Sequence, residues 1–563
     1  MCRSPQSPDQ IMQNQAGSTY PGRKALAAAE YWLPLVLVGV SAGFILLFLY
    51  TSLRRMGYPF SFDQVEGGMV TSVWRVAHGY PLYTAPNRDF VPYLYAPLYF
   101  YLAAALSKIA GAGYAGLRIL SIMGSVGSFA LIYAIIHGET QSRLAGIAGA
   151  GLFAACYLPL EGWFDLGRVD SSFTFFLLLA IYCTRRAPIV LAALVWLVAF
   201  QVKQTILPVA VLVLCAEWRR PYRMALGLVT MLAGFGASLV LIDRATGGWY
   251  TYYLFGTAKG LSWVARTGVL YIPIDLLQPF GLAFLVMVAA LLCAPPAFRN
   301  RGTQFYLFVS FSIYASIWYL RAHSGSAVNT LMPAYAWTSV LFGIAFYRLS
   351  SWLKTQPSPA DQIGRVLLLI AASVQILAFL YNPGRFVPSA ATRAARQQFE
   401  QQLRSLPGDI YVLDHSYDAI LASKKPHAVI DAFGIILDSP PSTMRSAYIA
   451  DFRRAADDHL YGGFVMDNTV DAYNKRGWLP DDFVQQYPVR LLAVGWDEGG
   501  GIFNQPEERW IYLPCSALDQ ASSFINADSV VSFGTCTNVP SLNKSSRGLL
   551  AQGKVTRSVD ASP

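Results

Sequence analysis

Charge is scarce in this chain. Only 13% of its 563 residues are Asp, Glu, Lys or Arg, while 54% are hydrophobic and 14% aromatic. No soluble domain of this length has that balance, and the apolar runs recur at membrane-spanning length. Histidine (6) and cysteine (7) are few as well, and no Cys/His spacing suits zinc. The formal charge is +10, which would suit a nucleic-acid partner. Basic runs interleaved with aromatics are missing, however, and the arginines cluster in short loops between apolar segments. That distribution marks membrane topology and excludes a phosphate-backbone binding face. An internal repeat of the kind common in transporters is also missing.

What is present is a series of apolar segments. Spans are predicted near 31–52, 116–137, 144–160, 169–184, 188–203, 205–216, 224–243, 274–297, 304–320, 325–346 and 366–382, about eleven in all. Residues 1–30 read as a disordered cytoplasmic tail. The first span is too long for a signal-peptide core and no small-residue cleavage site follows it, so it reads as an uncleaved anchor. With a cytoplasmic N-terminus, the inner loops 138–143, 185–188, 216–223, 298–303 and 347–365 carry 11 Lys/Arg in 43 residues. The outer segments 53–115, 161–170, 244–273 and 321–324 carry 10 in 107. The roughly 2.7-fold difference in density runs in the positive-inside direction. Segment 98–110 then lies outside, as an amphiphilic surface helix opened by Pro97.

Beyond residue 382 the composition turns mixed and charged. Residues 383–540 predict an extracytoplasmic α/β domain, with strand-like runs at 410–413, 463–466 and 490–494, before a disordered 541–563 tail. Cys515 and Cys536 are the only cysteines there, and in an outer compartment they predict a disulfide. The expected fold class is a membrane all-α, polytopic helical bundle with this C-terminal α/β domain.

The polar residues on the predicted outer side form one set. Asp63 and Glu66 lie three apart in the first loop, a spacing that puts both on one helix face. Tyr95 and Tyr99 close that loop, and Arg118 opens the second span. Arg168 and Asp170 follow the third, Lys203 interrupts an apolar stretch, and His323 and Asn329 open the tenth. Each has a plainer reading. Arg118 and Lys203 could be snorkelling anchors, and Arg168 with Asp170 a structural pair. Asp63 and Glu66 could cap a helix, the tyrosines could form an interfacial belt, and His323 could be a satisfied polar residue.

The order Asp63-x-x-Glu66-Gly67, Leu82-Tyr83, Tyr95-Ala-Pro-Leu-Tyr99, Arg118, Arg168-Val-Asp170, Lys203-Gln-Thr205, Thr246-Gly-Gly248 and the Gly325–Asn329 loop resembles the GT-C glycosyltransferase superfamily. It is most similar to the bacterial branch related to protein mannosyltransferases, aminoarabinose transferases and rhizobial lipopolysaccharide transferases. The resemblance covers residues 31–382. Two departures are Tyr-Ala-Pro where relatives commonly carry two prolines, and His323 where a lysine is frequent. The resemblance implies a GT-C-type catalytic bundle over 31–382, and a sugar donor joined to a polyprenyl phosphate. Transfer would go to a glycan, lipid or protein acceptor at the outer membrane face. It assigns Asp63 as base and Glu66 as its helper or substitute. Arg118, Arg168, Lys203 and His323 would bind the donor phosphate, supported by Asp170, Tyr95, Tyr99 and Asn329. Metal independence is expected because cations already face the phosphate, although two acids could hold a divalent ion. A flippase, which also needs buried charge and about this many spans, and a polysaccharide ligase, which shares lipid-linked donors but transfers whole chains, remain as rivals.

Overall fold

The computed structural model describes residues 21–296, 300–467, 470–474, 477–492, 509–517 and 530–533. Each of the eleven apolar segments holds a helix: Pro21–Met56, Tyr114–Thr140, Arg143–Ala155, Val169–Arg186, Ile189–Val202, Leu207–Cys215, Pro221–Ala245, Gly281–Cys293, Arg301–Arg321, Met332–Leu353 and Ala360–Leu377. Among the described residues, four helices are long and apolar enough to cross a membrane: Ala25–Met56, Tyr114–Thr140, Pro221–Ala245 and Ala360–Leu377. A fifth arises if Ala265–Leu277 and Gly281–Cys293, bent by 81°, form one broken span. That break contains Pro279, which lacks a backbone donor. The chain is an integral, multi-pass membrane protein.

One local departure from expectation has a physical cause. The first helix begins at Pro21, so residues 21–30, expected within a disordered tail, are helical. Proline suits the first helical position, and the alanine-rich stretch 25–29 favours helix strongly. Residues 1–20 and 541–563 lie outside the described residues. The apolar run 189–215 is broken at Lys203, whose backbone is extended (φ −151°, ψ 117°). The break leaves a nine-residue helix, Leu207–Cys215, far shorter than a full bilayer crossing. It also puts a cation at the junction of two apolar helices. The 98–110 segment is a helix, Leu98–Ala110, that buries Tyr99, Phe100, Ala103 and Ala104 and exposes Tyr101 and Ile109.

The C-terminal part carries a five-stranded sheet: β1 Ile410–Val412, β2 Gly463–Met466, β3 Val489–Leu492, β4 Trp510–Leu513 and β5 Val530–Phe533. The strand order is β1-β2-β4-β3-β5, with β1 and β2 parallel and the other pairs antiparallel. Side chains alternate between its faces, as the pleat requires. Ile410, Val412, Val465, Leu491, Ile511 and Leu513 pack with Phe399 and Leu403 of the Ala390–Ser405 helix. Tyr411, Leu413, Phe464, Met466 and Tyr512 belong instead to the large core that runs on into the membrane helices.

The sheet unit therefore docks directly on the membrane part, and it does so at the acidic loop. Helix Gln64–Ala77 makes the approach possible through Gly68. A Cβ there would stand 2.8 Å from Val429 Cγ2 and collide with the Tyr93 hydroxyl. Polar contacts close the seam: Ser61 Oγ to His415 Nδ1 at 2.8 Å, Thr71 Oγ1 to Ser416 Oγ at 2.8 Å, and Gln64 Nε2 to Asp431 Oδ1 at 3.2 Å.

Cys515 is disulfide-bonded, whereas Cys536 lies outside the described residues. Of the seven cysteines, about two should therefore be silent in a thiol titration of the denatured, unreduced chain, and all should react after reduction. Equal titres before and after reduction would remove the bond.

Candidate functional site

Asp63 and Glu66 take different side-chain partners. Asp63 precedes the Gln64–Ala77 helix with extended backbone (φ −147°, ψ 143°) and its side chain makes no capping hydrogen bond. Asp63 stands just before the helix and Glu66 in its first turn, and the two carboxylates meet different arginines. Glu66, completely buried, accepts two hydrogen bonds from Arg118, Nε to Oε1 at 2.8 Å and Nη2 to Oε2 at 2.9 Å. It also accepts the Phe62 N–H at 2.9 Å and the Gly167 N–H at 2.8 Å. Burial alone would raise its pKa, but Arg118 and the two backbone donors outweigh burial and hold it below the ordinary carboxylate range.

Arg118 is equally committed. Its remaining N–H groups donate to the carbonyls of Arg55, Tyr58 and Phe60 at 3.1, 2.6 and 2.7 Å. All five guanidinium donors are thus used inside the protein. Phe62 is held between two guanidinium groups, Arg55 at 4.2 Å and Arg118 at 4.3 Å from its ring centroid. This unit shapes the loop that presents Asp63.

Asp63 belongs to a second, more open group. Its Oδ2 accepts from Arg168 Nη1 at 2.7 Å. Arg168 also reaches the Tyr95 hydroxyl at 3.4 Å and lies 4.6 Å over the Trp163 ring. Its Nε, buried, has no hydrogen-bond partner among the described residues and stands 3.9 Å from Asp170 Oδ2. Asp170 is held more tightly by Lys203 Nζ at 2.8 Å and by Asn329 Nδ2 at 3.0 Å. Lys203 lies 5.8 Å from the Tyr95 ring centroid. Tyr95 itself is placed by Gln204, whose Nε2 donates to the Leu94 carbonyl.

Tyr99 and His323 stand apart from this group. The Tyr99 hydroxyl faces the Leu117 carbonyl and Ser121, each at 3.5 Å. His323 Nδ1 is 2.7 Å from the Tyr319 carbonyl, and its ring packs on Trp263 and Tyr319. The structure thus joins Asp63, Arg168, Asp170, Lys203, Tyr95 and Asn329, and sets Glu66 with Arg118 in the frame behind them. Among the described residues, no group of three or more His, Cys, Asp and Glu is arranged for a metal.

Several participants escaped the sequence reading. Arg55 pairs with Asp165 at 2.7 Å and hydrogen-bonds Tyr157, extending the buried frame. The Arg54–Arg55 pair at a helix end was the available signal. The C-terminal residues carried none, because nothing local relates positions more than 330 apart. His415 links Ser61 to Asp467, with Nε2 at 2.8 Å from Asp467 Oδ2, and Arg509 grips Asp467 from the far side. His427 bridges Asp89 and Asp409 at 3.2 and 3.0 Å, tying the 80–97 loop to the sheet unit. Its pKa is raised, because those two carboxylates outweigh burial. Asp431 is pushed up to about 7 by burial and by the charge of Asp63, against the pull of Arg168.

Replacing Glu66 by Ala strands the fully buried Arg118. Breaking one side of such a pair costs about 3–5 kcal/mol, so Glu66→Ala should melt far below wild type in detergent, or fail to accumulate. Asp63→Asn, at the more open pair, should melt close to wild type. Thermal unfolding followed by tryptophan fluorescence separates the two, and equal melting temperatures would contradict this division of labour.

No protein-family model matches the chain, and no curated protein sequence matches it. Two crystal structures of ArnT from Cupriavidus metallidurans are similar in fold. The apo state gives a TM-score of 0.54 and the form bound to undecaprenyl phosphate 0.50. Each is 13% identical in sequence and aligns over 84% of this chain and 98% of that one. ArnT is a GT-C glycosyltransferase. At this identity it is the fold that is held in common: the chain has the architecture of ArnT.

Proposed function

We propose that the protein is a membrane glycosyltransferase that moves a sugar from a polyprenyl-phosphate donor to an acceptor hydroxyl at the outer face of a bacterial cytoplasmic membrane. In this reading the N-terminus is cytoplasmic, about eleven helices enter the membrane, and residues 383–540 form an extracytoplasmic domain. The observation that carries the reading is the juxtaposition of Asp63 with Arg168 and Lys203, in an ArnT-like fold of which one solved member holds undecaprenyl phosphate.

The chemistry assigns each group a task. The acceptor oxygen attacks the anomeric carbon, its proton passes to Asp63, and the bond from that carbon to the phosphate oxygen breaks with the electron pair leaving on the lipid phosphate. Arg168 and Lys203 receive the growing charge, an effect of about 3 kcal/mol per well-placed donor. Both have capacity for it. Arg168 Nε has no hydrogen-bond partner among the described residues, and the Lys203 ammonium carries three donors, of which one reaches Asp170. Arg118 has none left, so we assign it and Glu66 to holding the loop. Asp170 and Asn329 orient Lys203, and Tyr95 orients Arg168. His323 and Tyr99 take no part. Glu66, with both oxygens engaged, is also poorly placed to ligate a divalent ion beside Asp63, and the proposed reaction needs none.

The test is transfer in proteoliposomes with a panel of radiolabelled polyprenyl-phosphate sugars. Wild type should consume one labelled donor, and Asp63→Asn, at equal folded amount, should lose about 100-fold or more of that rate. Label that crosses the bilayer unchanged would make the protein a flippase, and a near-normal variant would remove Asp63 as the base. The wild-type rate should survive excess EDTA, and its loss, restored by magnesium or manganese, would overturn the metal-free assignment.

A further inference from the structure

A third carboxylate reaches this site from a remote part of the chain. Asp431 lies in the first turn of the Ile430–Asp438 helix, next to Val429, which presses on Gly68. Its Oδ1 accepts from the side chain of Gln64, the neighbour of Asp63, at 3.2 Å. Its Oδ2 is shielded from solvent and has no hydrogen-bond partner among the described residues. The charged and titratable groups that face it are Asp63 and Arg168 of the membrane part, Tyr93 of the 80–97 loop, and Asp467 and Asp414 of the sheet unit. Asp467 is already ion-paired with Arg509 and hydrogen-bonded to His415. Arg168 is therefore the cation facing Asp431, and it is bound to Asp63.

That charge count has a consequence. Asp63 and Asp170 balance Arg168 and Lys203, so the site is neutral before a ligand arrives. A neutral Asp431 preserves the balance, whereas an ionised one adds a negative charge where an anionic phosphate must dock. Building on the phosphate-binding reading given above, we propose that Asp431 is a positioning residue whose carboxyl must keep its proton for the lipid phosphate to bind. The sheet unit thereby sets the charge of the membrane site. The direction of its titration agrees, since burial and Asp63 push it up to about 7. The proton is held below that pH and released above it.

The experiment is equilibrium binding of undecaprenyl phosphate to the full-length protein in detergent micelles, from about pH 6 to 8.5. It compares wild type with Asp431→Asn, which mimics the neutral acid in shape. The second ionisation of the lipid phosphate acts on both proteins alike, so their affinity ratio isolates Asp431. The ratio should be close to one at low pH. At high pH the variant should bind about tenfold more tightly, the scale of one charge about 12 Å away at an effective dielectric constant of about 20. Equal affinities across the range, or a variant weaker at every pH, overturn the proposal and leave the phosphate site standing. Failure of both proteins to bind overturns the phosphate reading and this proposal with it. Should Asp431→Asn not accumulate folded, Asp431→Ser gives the same comparison with a second neutral side chain.

Discussion

The Glu66–Arg118 pair is the constraint on which the rest of this architecture depends. Both groups are fully buried, and isolated charges there would be untenable. Each is satisfied only because four separate pieces of chain converge. The 55–62 segment offers three carbonyls, Phe62 and Gly167 offer N–H groups, and the helices Gln64–Ala77 and Tyr114–Thr140 supply the two side chains. Shifting any one piece would orphan a buried donor or acceptor. The loop that ends in Asp63 is therefore held rigidly, and Asp63 stands at a fixed place with its carboxylate left to Arg168.

From that fixed place the charges grade outward. Arg118 with Glu66 and Arg55 with Asp165 lie innermost, then Arg168 with Asp63, and Lys203 is the most exposed of these groups. The inner pairs have used their hydrogen-bonding capacity or are sealed from solvent, while Arg168 and Lys203 retain donors. This gradient separates groups that hold the protein together from groups able to meet a ligand. Residue type alone could not have separated them, since arginines and carboxylates occur at every level.

The sheet unit is the other half of the arrangement. It reaches both flanks of Asp63, through His415 to Ser61 and through Asp431 to Gln64. It also grips the 80–97 loop that carries Tyr93 and Tyr95, through His427 and Asp89. One face of its sheet is continuous with the apolar core of the membrane part. A unit seated in this way is placed to influence the charge of the site as well as to cover it.

The sequence by itself determined the membrane character, the positions of eleven apolar helices, the amphiphilic 98–110 helix and three of the five strands. These follow from local periodicity and from the scarcity of charge, which neighbouring residues carry without help from the rest of the chain. It also delimited the polar set from which the site is drawn. Only the tertiary structure decided how that set pairs. Asp63 went to Arg168 and Glu66 to Arg118. Asp170 went to Lys203 rather than chiefly to Arg168, and His323 stayed with Trp263. Asp431 arrived from more than 360 positions away. Ion pairing and burial depend on distance in space and on what excludes water, and neither quantity is written in the order of the residues.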